Sequence, residues 1–101
     1  MFLGRWNASV DKKWRLTIPK SIETSKYFYL KESANGIQIL KKMPKVKKED
    51  LTVMFRVQVK TNCRVKRITI PEFLRKSNSF YFGRKVTIVG KGYLLEVWPR
   101  P

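Results

Sequence analysis

Histidine is missing from this 101-residue chain, and cysteine occurs once, at Cys63. No imidazole is available as a general base or metal ligand, and one thiol can neither close an intrachain disulfide nor build a cysteine zinc site. That usage suits a reducing compartment, so the cytoplasm is the expected location. Acids are scarce as well: Asp11, Glu23, Glu32, Glu49, Asp50, Glu72 and Glu96 are scattered and form no evident catalytic pair. No apolar run approaches the roughly 20 residues of a membrane-spanning helix. Residues 1–11 turn polar too early for a signal peptide. Gly90-Lys91-Gly92 reads as a hairpin turn and not as a phosphate-binding loop. No enzyme, cofactor, metal, small-molecule substrate or membrane partner is expected.

What the chain has in excess is positive charge. Twenty-three Lys and Arg stand against seven acids, a formal net charge of +16. A solvated surface of the thermophile kind mixes both signs. This one does not, and so much self-repulsion is tolerated best beside a polyanion, of which nucleic acid is the commonest. Hydrophobic residues make up 43% of the chain, enough for a core.

The chain is organised around a repeat. Residues 10–19, VDKKWRLTIP, return at 62–71 as NCRVKRITIP, with Arg15 through Pro19 matching Arg67 through Pro71 at a constant offset of 52 (67 − 15). In both copies cations precede a short apolar–polar alternation, Leu16/Ile18 about Thr17 and Ile68/Ile70 about Thr69, which suits a strand with one buried face. Pro19 and Pro71 end each strand and open a helical turn, 20–24 and 72–76.

The remaining elements follow the same order twice. A first strand covers 2–10, with Trp6, Ala8 and Val10 on one face; 11–14 is a tight loop and 15–18 the returning strand. Tyr27–Leu30 and Gly36–Lys41 form a hairpin around an Asn35-Gly36 turn, and 43–50 is a short charged linker. Phe55–Thr61 alternates apolar Phe55, Val57 and Val59 with an outer polar face, followed by a loop at 62–66 and a strand at 67–70. In 77–85, Phe80, Tyr81 and Phe82 are expected to cap the core; 86–89 and 93–98 make the last hairpin. Two units result, 1–46 and 47–101. Each is too small to bury a core alone, so they are expected to interlock as one mainly β unit. Trp6, Trp98, Phe55 and Tyr93 are expected in that core, and Cys63 buried or half-buried.

Met1-Phe2, Gly4, VDKKWRLTIP and, later, GRKVTIVGKGYLLEVW resemble the MraZ family of the AbrB-like swapped-hairpin superfamily, almost end to end. The resemblance implies two tandem SpoVT/AbrB-like repeats interlocked as a swapped-hairpin β-barrel. It implies a bacterial transcriptional regulator, typically a repressor, acting on double-stranded DNA from the nucleoid. Homo-oligomers, rings included, are implied too. The family's D-x-x-x-R motif is present as Asp11 and Arg15, with Lys13 between them. Trp14 departs from the pattern where a glycine is usual. Cys63 stands where the second aspartate belongs, and the region between the repeats is shortened.

The chemistry of the residues agrees. Asp11 can order its loop by accepting backbone N–H groups or by pairing with Arg15. Arg15 can then meet phosphate or guanine O6/N7 bidentately, with Lys12 and Lys13 as point charges on phosphates. Arg64, Lys66 and Arg67 supply the second loop's cations. The bland readings are an Asp11–Arg15 structural pair and a solvated turn. Trp14 suits either packing or stacking against DNA. Two other classes remain beside the specific regulator: an architectural nucleoid or RNA-coating protein, for which +16 suffices, and an AbrB-like antitoxin. The chain's short end after Trp98 speaks against the antitoxin's toxin-binding tail.

Overall fold

A computed structural model describes residues 2–34, 36–43, 54–77 and 85–100. The elements are β1 (Phe2–Ser9), β2 (Arg15–Ile18), β3 (Tyr27–Ser33), β4 (Gly36–Leu40), β5 (Met54–Gln58), β6 (Lys60–Asn62), β7 (Val65–Thr69), α1 (Glu72–Ser77), β8 (Lys85–Gly92) and β9 (Leu94–Pro99). The protein is mainly β, as its alternating pattern requires. The strands form two antiparallel sheets, one of six strands in the order β1-β8-β9-β4-β3-β5 and one of three, β2-β7-β6. The expected closed barrel is not formed: among the described residues β1 and β5 remain edges of the large sheet, and β6 an edge of the small one. The isolated bridge from Val10 to Leu16 links β1's end to β2.

Strands from before and after the 46/47 boundary pair throughout. β1 pairs with β8, β2 with β7, β3 with β5 and β4 with β9. The registers follow a pseudo-twofold pattern. β2 and β7 cross at Leu16 and Ile68, 52 positions apart (68 − 16), so Arg15 faces Thr69 while Thr17 faces Arg67. β4 and β9 cross at Gln38 and Glu96, 58 apart (96 − 38). The same displacement of 58 carries the Leu30–Ile39 pair onto Ile88–Val97. Leu30 also faces Phe55, as Ile88 faces Trp6, so Trp6 and Phe55 correspond at an offset of 49 (55 − 6).

The offset thus grows from 49 to 52 across the second hairpin and to 58 beyond β7. The second hairpin is three residues longer than the first. The 55–61 strand accordingly breaks at Val59, whose N–H donates to Lys26 O (2.9 Å); β5 stays in the large sheet and β6 crosses to the small one.

Opposed residues of an antiparallel pair share a face, and one face of each sheet supplies the core. Leu16, Ile18 and Ile68 from the small sheet, with Ile70 just after it, join Phe28, Leu30, Ile37, Ile39, Ile88, Leu95 and Val97 from the large one in a single cluster. Ile22 and Leu74, which follow the two prolines at the same offset of 52 (74 − 22), plug it at equivalent places. Only the second copy becomes a helix. α1 carries Glu72 in its first turn and Arg75 and Lys76 in its last, matching the helix dipole. The stretch 20–24 keeps one hydrogen-bonded turn, Ile22 N–H to Pro19 O (3.0 Å). Gly36 is required where it sits, since a Cβ there would run into the Val97 carbonyl.

Three side chains differ from expectation. Tyr93 is 85% exposed, because β8 continues to Gly92 and leaves residue 93 as the turn. Cys63 is exposed at a hairpin tip. Trp98 is half-buried on the outer face of its strand, donating to the buried Glu96 (3.2 Å). The Asn35 turn position, most of the 43–50 linker and the Phe80–Phe82 cap lie outside the described residues.

The pairing pattern predicts that residues 1–46 and 47–101, expressed separately, show no cooperative thermal unfolding by circular dichroism, while the whole chain does. In the whole chain, Leu16→Ala removes a fully buried side chain at the crossing point and should cost about 2–5 kcal/mol in a urea titration.

Candidate nucleic-acid interface

The first loop is a three-residue hairpin connection. Asp11 N–H donates to Arg15 O (3.1 Å) and Trp14 N–H to Asp11 O (3.0 Å), with Trp14 left-handed at φ 60°. That is a turn followed by a left-handed residue, a common way to close three-residue hairpins, and it favours glycine at the position Trp14 holds. Asp11 orders the loop from within. Its Oδ1 accepts the N–H groups of Lys13 and Arg15 (both 2.9 Å), and its Oδ2 accepts Arg15 Nε (2.7 Å). Burial alone would raise the Asp11 carboxyl. The backbone and guanidinium hydrogen bonds of Arg15, the Lys13 N–H and the Arg15 charge outweigh it and hold the carboxyl below the usual range.

Arg15 therefore belongs to an ion pair and to a presented surface at once. Only its Nε meets Asp11, and its side chain remains 37% exposed. Trp14 packs against the core cluster, and the Arg75 guanidinium lies 4.7 Å from its ring centroid. Lys12 and Lys13 are exposed.

The second loop is built differently. Asn62 pairs with Val65, leaving a two-residue turn, Cys63-Arg64, with both residues left-handed (φ 49° and 66°). Such a turn is the usual partner of twisted hairpins and normally takes Asn-Gly. Because this hairpin is three residues longer, Cys63 does not occupy Asp11's place; it sits farther out, at the tip. Among the described residues, the non-glycine positions with positive φ are Trp14, Cys63 and Arg64. Backbone strain of this kind costs about 1–3 kcal/mol per residue and gathers where function requires it.

The register sets the two loops at opposite ends of the small sheet, since Arg15 faces Thr69 and Ile18 faces Lys66. Thr69 lies five positions from Arg64 (69 − 64), roughly 17 Å at about 3.3–3.4 Å per residue. Between them runs the sheet's outer face: Arg15 beside Thr69, Thr17 beside Arg67, and Arg67 beside Lys60. Thr17, Thr69 and Lys60 are exposed and Arg67 half-buried. Lys66 turns the other way, opposite Ile18, and one of its three N–H groups donates to Ile22 O (3.3 Å). Lys60 was not among the sequence-derived site residues. The alternation that puts Lys60 on the polar face of 55–61 is visible in the sequence; its place beside Arg67 appears only with the register.

Among the described residues, no group of three or more His, Cys, Asp or Glu side chains gathers to hold a metal ion, and no helix is long and apolar enough to cross a membrane. No protein-family model matches the chain, and no curated protein matches it significantly.

Asp11's lowered carboxyl gives a pH prediction. A carboxyl depressed in the folded state stabilises above its unfolded pKa of about 3.9, and that contribution is lost as pH falls through the folded value. Asp11→Asn should therefore be less stable than the parent near pH 6, with the gap in urea midpoint closing near pH 2. An equal gap at both pH values would mean that the Asp11 charge does not stabilise the loop.

Proposed function

We propose that the protein is a DNA-binding regulator that meets duplex DNA with the outer face of β2-β7-β6 and the two loops flanking it. The observation that carries this reading is the sign of that face. Arg15, Arg67 and Lys60 lie side by side with Thr17 and Thr69, and Asp11, an acid at its border, is spent on Arg15. A β-ribbon enters the major groove, about 12 Å wide, and side chains on its outer face reach base edges. Loops roughly 17 Å apart would meet phosphates on either side.

The roles divide by geometry. Arg15, with Nε held by Asp11, offers both Nη groups to a guanine edge, while Lys12, Lys13, Arg64 and Arg67 neutralise phosphates; Lys66, on the other face of β7, is left out of this contact. Thr17 and Thr69 supply hydroxyls and methyl groups that suit either backbone or thymine. The sequence likeness of Asp11, Lys13 and Arg15 to the MraZ motif supports a regulator, typically a repressor, over a sequence-indifferent coating protein. The same likeness supports assembly of several copies, for which DNA supplies the countercharge, and a swapped-hairpin ancestry for the two halves.

Arg15→Ala should cost about 1–3 kcal/mol on a duplex selected from random sequence and relax preference at one position. Arg67→Ala should weaken selected and random duplex alike and lower the slope of log K against log salt by about one unit. Anisotropy titrations at two salt concentrations measure both. Equal losses on both duplexes for Arg15→Ala would favour the architectural reading.

A further inference from the structure

The pseudo-twofold pattern exposes a difference between the halves. Trp6 corresponds to Phe55 (offset 49), and Ser21 to Phe73 (73 − 21 = 52), just before the equivalent buried plugs Ile22 and Leu74. In the second half the Phe73 ring lies over Phe55, centroids 5.8 Å apart and tilted by 35°. In the first half Ser21 replaces that ring, and its Oγ accepts Trp6 Nε1 (3.0 Å). A groove of about 490 Å³ opens there, lined by Phe2, Leu3, Trp6, Ile22, Leu40 and Tyr93.

The groove's edge combines exposed apolar surface with positive charge. Tyr93 is 85% and Leu3 71% exposed. Lys41 and Lys42 also line it, and Lys41 meets Glu23 at 3.2 Å, so the edge keeps a net positive charge.

We propose that this groove is a second nucleic-acid site, taking one unstacked base of a single strand over Trp6 and beside Tyr93, with the lysines at its phosphates. Three observations converge on a flat, anionic aromatic ligand. An aromatic ring occupies the corresponding place in the other half. The volume exceeds that of a phenyl ring and accommodates a base with its sugar. The cationic edge, on a chain of net charge +16, selects an anion. A second copy fits this groove less well, because its own +16 would face the same lysines. Base–aromatic stacking tolerates any base, since every base has a π-face, so little sequence preference is expected.

The test compares dye-labelled oligo-dT, oligo-U and a mixed-sequence duplex by anisotropy, using the whole chain and two variants. Ser21→Phe places in the groove the ring that the second half already carries. Tyr93→Ala removes an exposed side chain that no core contact depends on, so it reports even if Ser21→Phe unfolds. Each should weaken single strands by about five- to a hundredfold and alter duplex binding less than twofold. Oligo-dT and oligo-U weakened alike would identify the base as the ligand, and a loss confined to oligo-U would identify a ribose-dependent site for the same base. Single-strand binding unchanged in Tyr93→Ala would overturn the proposal. So would an equal loss on duplex, which reads the sheet face, or a change only in sedimentation mass, which would make a second copy the occupant.

Discussion

Antiparallel pairing of β2 with β7 is the contact on which the rest depends. It crosses at Leu16 and Ile68, both fully buried, and so places the equivalent strands of the two halves against each other with their apolar side chains on one face. A one-residue slip would turn Leu16 and Ile18 to solvent and Arg15 and Thr17 into the core. Register and charge distribution are therefore one constraint. The same pairing that buries four aliphatic side chains lines up Arg15, Thr69, Thr17 and Arg67 outside. The other crossing, at Gln38 and Glu96, is polar. Burial would raise the Glu96 carboxyl, yet Lys91, Gln38 and Trp98 hold it low, so the charge survives inside the fold.

Departures from pseudo-symmetry are where the protein differs in chemistry between its ends. Three extra residues lengthen the second hairpin and carry Arg64 out to a strained tip. Asp11 stiffens the shorter first loop with three hydrogen bonds. Phe73 covers Phe55, while Ser21 leaves Trp6 open. None of these changes disturbs the buried plugs Ile22 and Leu74, which is why the halves can diverge at the surface and still share one core.

Much of the architecture was legible in the sequence because it rests on local pattern. Alternation about Thr17 and Thr69 marked β2 and β7, and Pro71 followed by Glu72 marked the start of α1. The first copy's turn failed to propagate into a helix, although Pro19 sets up the same start. Nor did alternation disclose the break at Val59, since both β5 and β6 read as one strand until their partners are known. Barrel closure was expected from a resemblance, and the ladders stop short of it. At the site, Asp11 bonds both Arg15 and the backbone N–H groups of its loop, two alternatives that the residue types alone left open. A constant offset of 52 wrongly set Cys63 in Asp11's place, because it holds only downstream of the longer hairpin. Lys60 entered the site through register, a property of pairs of strands that no single stretch of sequence contains.

In the proposed function one face, defined by the β2–β7–β6 register, meets DNA. Mapping amide chemical-shift changes on titration with duplex DNA tests it most directly. The largest changes should fall on Lys12, Lys13, Thr17, Lys60, Arg64, Arg67 and Thr69, with Lys31 and Glu32 of the large sheet unmoved. Changes centred on the large sheet, with Thr17 and Thr69 silent, would contradict it.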